Sequence, residues 1–74
     1  MDRLVTNKKI FNGKPIIKGT RISVEFILDL LASDVSEKEI LEDYPHLKHE
    51  DIQACLKYAA LSIKNDIFVD LQAV

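Results

Sequence analysis

The spacing of apolar residues changes at residue 22, and that change sets the class of fold open to this chain. Before it, apolar residues come in short pieces broken by Asn12-Gly13, Pro15 and Gly19. After it they recur at helical spacing as far as residue 64. Lys9-Ile10-Phe11 and Pro15-Ile16-Ile17 flank Asn12-Gly13, which predicts a β-hairpin, because a type I′ turn needs positive φ at both central residues. Pro15 cannot donate to a strand ladder, so its strand must present that position at an edge or a bulge. Lys18-Gly19-Thr20 predicts a further turn.

Three helices are predicted next. Ser23 caps the first, with Glu25 in its first turn, and Val24, Ile27, Leu28 and Leu31 form its apolar stripe beside Phe26 and Leu30. That helix should end near Ser33-Asp34. Ser36-Glu37-Lys38-Glu39 is a capping box opening a short second helix with Ile40, Leu41 and Tyr44 on its apolar side. Pro45 disfavours helical geometry at Tyr44 and closes it. The third helix should open near His49 and run to about Lys64. On it, Ile52, Cys55, Leu56, Ala59 and Ile63 fall within about 100° of arc, an expected core face. Ala54, Tyr58 and Leu61 gather on the opposite side, an expected dimer interface. The ending, residues 65–74, adds Ile67, Phe68, Val69, Leu71 and Val74, an expected docking tail.

Seventy-four residues make one small domain, divided here into a basic hairpin arm (1–21), a three-helix core (22–64) and the apolar tail. A chain this short buries only about three-fifths of its unfolded surface. With the single Cys55 it lacks a disulfide or metal staple, which leaves oligomerisation as the expected reinforcement. The expected fold is therefore mainly α, an N-terminal hairpin before a three-helix core, as a homodimer. No apolar run approaches the roughly 20 residues of a membrane span, and Met1-Asp2-Arg3-Leu4 carries no signal-peptide core. No membrane association and a cytoplasmic setting are the expectation.

The net charge of −2 hides a division. Residues 1–21 hold six cations against Asp2 alone, a net of +5; residues 22–74 hold four Lys against eleven acids, a net of −7. A basic arm on an acidic body is either a nucleic-acid footprint or a device for pairing subunits. Lys8, Lys9, Lys14, Lys18 and Arg21 are the expected DNA-binding residues.

Enzyme chemistry finds little footing. Gly13-Lys14 resembles the end of a phosphate-binding loop, but the earlier Gly is missing and Pro15 replaces the Ser or Thr. His46, His49 and a distant Cys55 lack the paired spacing of zinc ligands. The carboxylates are dispersed along helix surfaces, so no acid/base pair stands out. No enzyme activity, metal or cofactor is expected. Residues 36–43, the turn Tyr44-Pro45-His46-Leu47-Lys48 and residues 49–64 instead follow a helix-turn-helix pattern. The N-terminus of its second helix, His49-Glu50-Asp51, is acidic, so Gln53 and Lys57 rank only second as DNA contacts.

The string Gly13-Lys14-Pro15-Ile16-Ile17-Lys18-Gly19-Thr20-Arg21-Ile22-Ser23-Val24 resembles the signature of the small bacterial family known as domain of unknown function 433. Glu39 to Leu47, then Glu50-Asp51-Ile52 and Ala54, continue the resemblance, which covers roughly residues 8–62. Lys48 stands where members commonly carry a Thr or Ser cap. The resemblance implies a helix-turn-helix-like antitoxin partnered with a PIN-like ribonuclease toxin. Ile67, Phe68, Val69 and Leu71 would then be the toxin-binding residues, and the basic arm would hold operator DNA. The alternatives are a free-standing DNA-binding regulator without a toxin, and a structural partner subunit whose basic arm pairs with another acidic body.

Overall fold

The computed structural model describes residues 2–65. Strand β1, Leu4–Val5, pairs antiparallel with β2, Ile16–Ile17, with Leu4 opposite Ile17 and Val5 opposite Ile16. Helices α1 (Val24–Ala32), α2 (Glu37–Asp43) and α3 (His49–Asn65) follow. The architecture is thus mainly helical with an N-terminal two-stranded hairpin.

The hairpin is built differently from its sequence cue. Asn12-Gly13 does not join the strands directly, and Lys9-Ile10-Phe11 is not a strand; the partner of Ile16-Ile17 is Leu4–Val5, and residues 6–15 form the connection. Phe11, Asn12 and Gly13 all take positive φ, at 49°, 56° and 82°, one more such residue than a type I′ turn contains. The chain therefore coils into a compact turn, closed by the Gly13 N–H donating to the Ile10 carbonyl and the Lys14 N–H to that of Phe11, both at 3.1 Å. Burial explains the choice of strand: Leu4 packs against the core, while Lys9 and Phe11 are exposed.

Beyond β2 the chain turns at Gly19, whose φ of +80° is one that glycine adopts readily. Thr20 pins this turn. Its Oγ1 donates to the Ile17 carbonyl at 2.7 Å and accepts from the Ile22 N–H at 2.9 Å. The Ile17 N–H then reaches the Ile22 carbonyl and the Val24 N–H the Pro15 carbonyl, so β2 is held on both sides.

Local signals set the helix ends. Ser23 Oγ accepts from the Phe26 N–H at 2.9 Å, and Ser36 with Glu39 completes a reciprocal capping box. Asp34, at φ +71°, lies just beyond α1 in the left-handed region that commonly ends a helix. Ile17, Val24, Ile27, Ile40, Leu47, Ile52 and Cys55 form the buried core. Three residues expected there are outside it: Ala59 is half-buried, Leu56 is 49% and Ile63 65% exposed. The two large ones have different reasons. Leu56 is turned about 100° around the helix from the fully buried Cys55. Ile63 lies near the end of α3, which at 1.5 Å per residue is about 25 Å long and outruns the roughly 13 Å of α1 among the described residues.

Candidate binding surfaces

Arg3, counted in sequence among the arm's cations, is spent inside the molecule. Its Nη1 meets Asp51 Oδ1 at 2.9 Å, and the other oxygen, Oδ2, accepts from the Lys48 N–H at 2.9 Å. Asp51 is 6% exposed, so the acidic start of α3 presents one carboxylate to solvent, Glu50, rather than two. The Asp51 carboxylate also supplies the helix start with a hydrogen bond where Lys48 offers no side-chain cap.

The five expected DNA-binding residues are all exposed. Lys14 is engaged: its Nζ lies 3.2 and 3.4 Å from the two oxygens of Glu25. Lys8, Lys9, Lys18 and Arg21 make no ion pair among the described residues. Turns hold all four. Lys8 Cα lies against Gly13, and the Lys18 N–H donates to the Arg3 carbonyl at 2.8 Å. Gln53 and Lys57, the second-choice contacts, are exposed on α3 and share a shallow groove with Asp2, Arg3 and Glu50.

The stripe Ala54, Tyr58, Leu61 is divided between two surfaces. Ala54 is half-buried and faces the groove of Gln53 and Lys57. Tyr58 and Leu61 are exposed and line a shallow apolar groove of about 570 Å³ with Leu4, Val5 and Pro15. The expected toxin-binding residues Ile67, Phe68, Val69 and Leu71 lie outside the described residues.

One surface has no counterpart in the sequence pattern. A cleft of about 630 Å³ lies between the Phe11–Gly13 turn and α1, lined by Phe11, Lys14, Arg21, Phe26, Asp29 and Tyr44 among others. Phe26 and Tyr44 meet edge to face, with centroids 5.9 Å apart and planes at 87°. In sequence Phe26 stands beside the α1 stripe and Phe11 beside a turn, so neither points to the other.

No group of three or more His, Cys, Asp or Glu side chains gathers into a metal-binding cluster among the described residues. His49 Nδ1 lies 2.6 Å from Glu37 Oε2, tying α3 to α2 at the surface. Burial pushes the Cys55 thiol up to about 11, and the charge of Asp51 adds to the effect. No helix among the described residues is long and apolar enough to cross a membrane.

Neither a curated protein nor a solved structure matches the chain. A family model does match, over residues 4–59, from β1 well into α3, and it is described as a protein of unknown function, DUF433. With that match spanning most of its length, the chain belongs to the DUF433 family.

Proposed function

We propose that this chain is an antitoxin-like binding protein: a homodimer whose basic N-terminal lobe holds operator DNA and whose C-terminal segment neutralises a PIN-like ribonuclease. One observation carries the DNA part. Lys8, Lys9, Lys18 and Arg21 are exposed on the turns around the β1–β2 hairpin, without an ion pair among the described residues. Cations left in that state on an otherwise acidic protein suit a polyanion. A dimer presents four from each subunit, and at about 0.9 per phosphate contact their log–log salt slope reaches up to roughly 7.

The ribonuclease part rests on the family resemblance and on the acidic, apolar composition of the C-terminal half, which complements the positive groove of an RNA-cutting enzyme. The reading is one of binding, with no catalytic step assigned to any side chain. The order α2, Tyr44–Lys48, α3 also favours a second reading, a free-standing DNA-binding regulator.

Co-expression separates the two. The full chain should restore growth to cells expressing the nuclease encoded beside it, and deletion of residues 66–74 should abolish that rescue while leaving duplex DNA binding in place. DNA binding with no rescue by the full chain supports the regulator. Rescue by the truncated chain removes the tail from the mechanism.

A further inference from the structure

The cleft between the Phe11–Gly13 turn and α1 sets exposed rings, which a duplex-phosphate contact does not use, beside two cations of the basic lobe. Phe11 is 53% exposed although it is a large apolar side chain, and its φ of 49° is one that residues other than Gly, Asn and Asp rarely adopt. The surrounding turn is closed by backbone hydrogen bonds, which hold the ring out in that strained geometry instead of letting it fold inward. Across the cleft Phe26 is also exposed, its ring set by the edge-to-face contact with Tyr44. Arg21 and Lys14 line the same space, and so do the carboxylates of Glu25 and Asp29; with Glu25 on Lys14, Arg21 is the cation there without an ion pair among the described residues.

Exposed aromatic faces beside cations are what an unstacked base needs: a ring to stack on and a positive charge for the adjoining phosphate. Inside an intact duplex each base face is covered by its neighbours, so only an unpaired base can present one. The cleft, at about 630 Å³, is within the roughly 300–1,000 Å³ of ordinary ligand sites. We propose that this cleft seats one unpaired base of single-stranded DNA, stacked on Phe11 and Phe26, with the flanking phosphate on Arg21. Asp29 then selects among bases. A carboxylate accepts from an exocyclic amino group, which cytosine and adenine carry and thymine lacks. Glu25 stays on Lys14 and does not compete for Arg21.

The inference rests on the DNA-binding reading of the basic lobe, and one titration tells the two apart. Fluorescence anisotropy is measured with labelled 12-mers of deoxycytidine, deoxyadenosine and deoxythymidine, a mixed-sequence duplex, and the deoxycytidine sequence as RNA. The cytosine and adenine strands should bind tighter than thymine, and Asp29→Asn should level that order. Phe11→Ala should weaken single-strand binding about 5- to 150-fold, the range for removing a base–aromatic stack, while Phe11→Tyr, which keeps the ring, stays near the parent. Duplex binding and its salt slope should not respond to Phe11→Ala. If the duplex binds with a steep salt slope and Phe11→Ala leaves the single strands unaffected, the base site is wrong and the DNA reading stands. If no DNA binds at low salt, both fall. Tighter binding to RNA than to DNA overturns the assignment to DNA. Unchanged single-strand binding by Phe11→Ala, together with loss of a dimer in sedimentation, assigns the rings to a protein contact.

Discussion

Arg3 and Asp51, 48 positions apart, meet at 2.9 Å and fasten the start of the chain to the start of α3. The same carboxylate holds the Lys48 N–H, so one buried side chain closes a helix end and anchors the hairpin lobe. The two partners are not equally exposed: the Arg3 side chain is 42% exposed and that of Asp51 9%. Asp51→Ala should therefore cost more than Arg3→Ala. The first strips a partner from a part-buried backbone donor, about 1–3 kcal/mol. The second removes a half-exposed cation, about 1 kcal/mol or less after screening. Urea denaturation of both variants checks the order; equal costs would place the effect in the ion pair and not in the helix start.

Thr20 supports a turn, and its two short hydrogen bonds are separable from its shape. Thr20→Val keeps the volume and loses both bonds to Ile17 and Ile22. About 1–2 kcal/mol should be lost, while Thr20→Ser should stay within a few tenths of the parent. Thermal melts of the pair measure this, and a Val variant as stable as Ser would show the bonds to be idle.

These contacts mark how far sequence alone reaches. Ser23, Ser36 with Glu39, and Pro45 act within a turn of themselves, so the helix ends were legible. The strand partner was not. Asn12-Gly13 is a strong local cue, but the pairing of Leu4–Val5 with Ile16–Ile17 is decided by which strand reaches the core. Ile63 sits too far along α3 for short α1 to cover, whereas Leu56, mid-helix, is turned about 100° from the buried Cys55. The same limit applies to the binding surfaces. The cations could be named from sequence, whereas the Lys14–Glu25 ion pair and the Phe11–Phe26 cleft exist only after the hairpin has folded onto α1.

Cys55 should make the fold sensitive to alkali. Its thiol is raised from 9.0 to about 11, by burial first and by Asp51 second. The folded state thus holds the proton more tightly than the unfolded chain. The resulting stability is complete below pH 9 and is lost as pH rises through 11. A loss on the order of 2 kcal/mol is expected across that window, and Cys55→Ala should flatten this part of the profile. The parent thiol should also resist alkylation at neutral pH until the protein unfolds. Rapid labelling of the native protein would contradict its burial.

Tyr58 and Leu61 sit with Leu4 and Val5 on an apolar groove. If two copies pair through it, Leu61→Asp puts a charge into a desolvated interface and should shift the protein from dimer to monomer in micromolar sedimentation. Ile63→Asp, more exposed at 65% and not part of that groove, is the control and should leave the dimer intact. A parent protein that sediments as a monomer and melts cooperatively would end the dimer proposal.

The cations of the basic lobe should not contribute equally to DNA binding. Lys18 and Arg21 are exposed without an ion pair among the described residues, whereas Lys14 spans both oxygens of Glu25. To reach a phosphate Lys14 must leave Glu25, which then remains nearby as a repelling charge. An exposed pair of this kind is worth about 0–1 kcal/mol, so the competition is modest but has a definite sign. Lys18→Ala or Arg21→Ala should lower the log–log salt slope by about 0.9 per subunit for each phosphate left without its cation. Lys14→Ala should lower it less. Glu25→Gln should do the reverse of all three, freeing Lys14 and removing a like charge from the phosphates, so that affinity rises and the slope steepens. A salt series with one labelled duplex measures all four variants. If Lys14→Ala flattens the slope as much as Lys18→Ala, the Glu25 ion pair does not restrain Lys14. If Lys18→Ala and Arg21→Ala leave the slope unchanged, the phosphates do not approach along this lobe, and Gln53 and Lys57 on α3 become the surface to test.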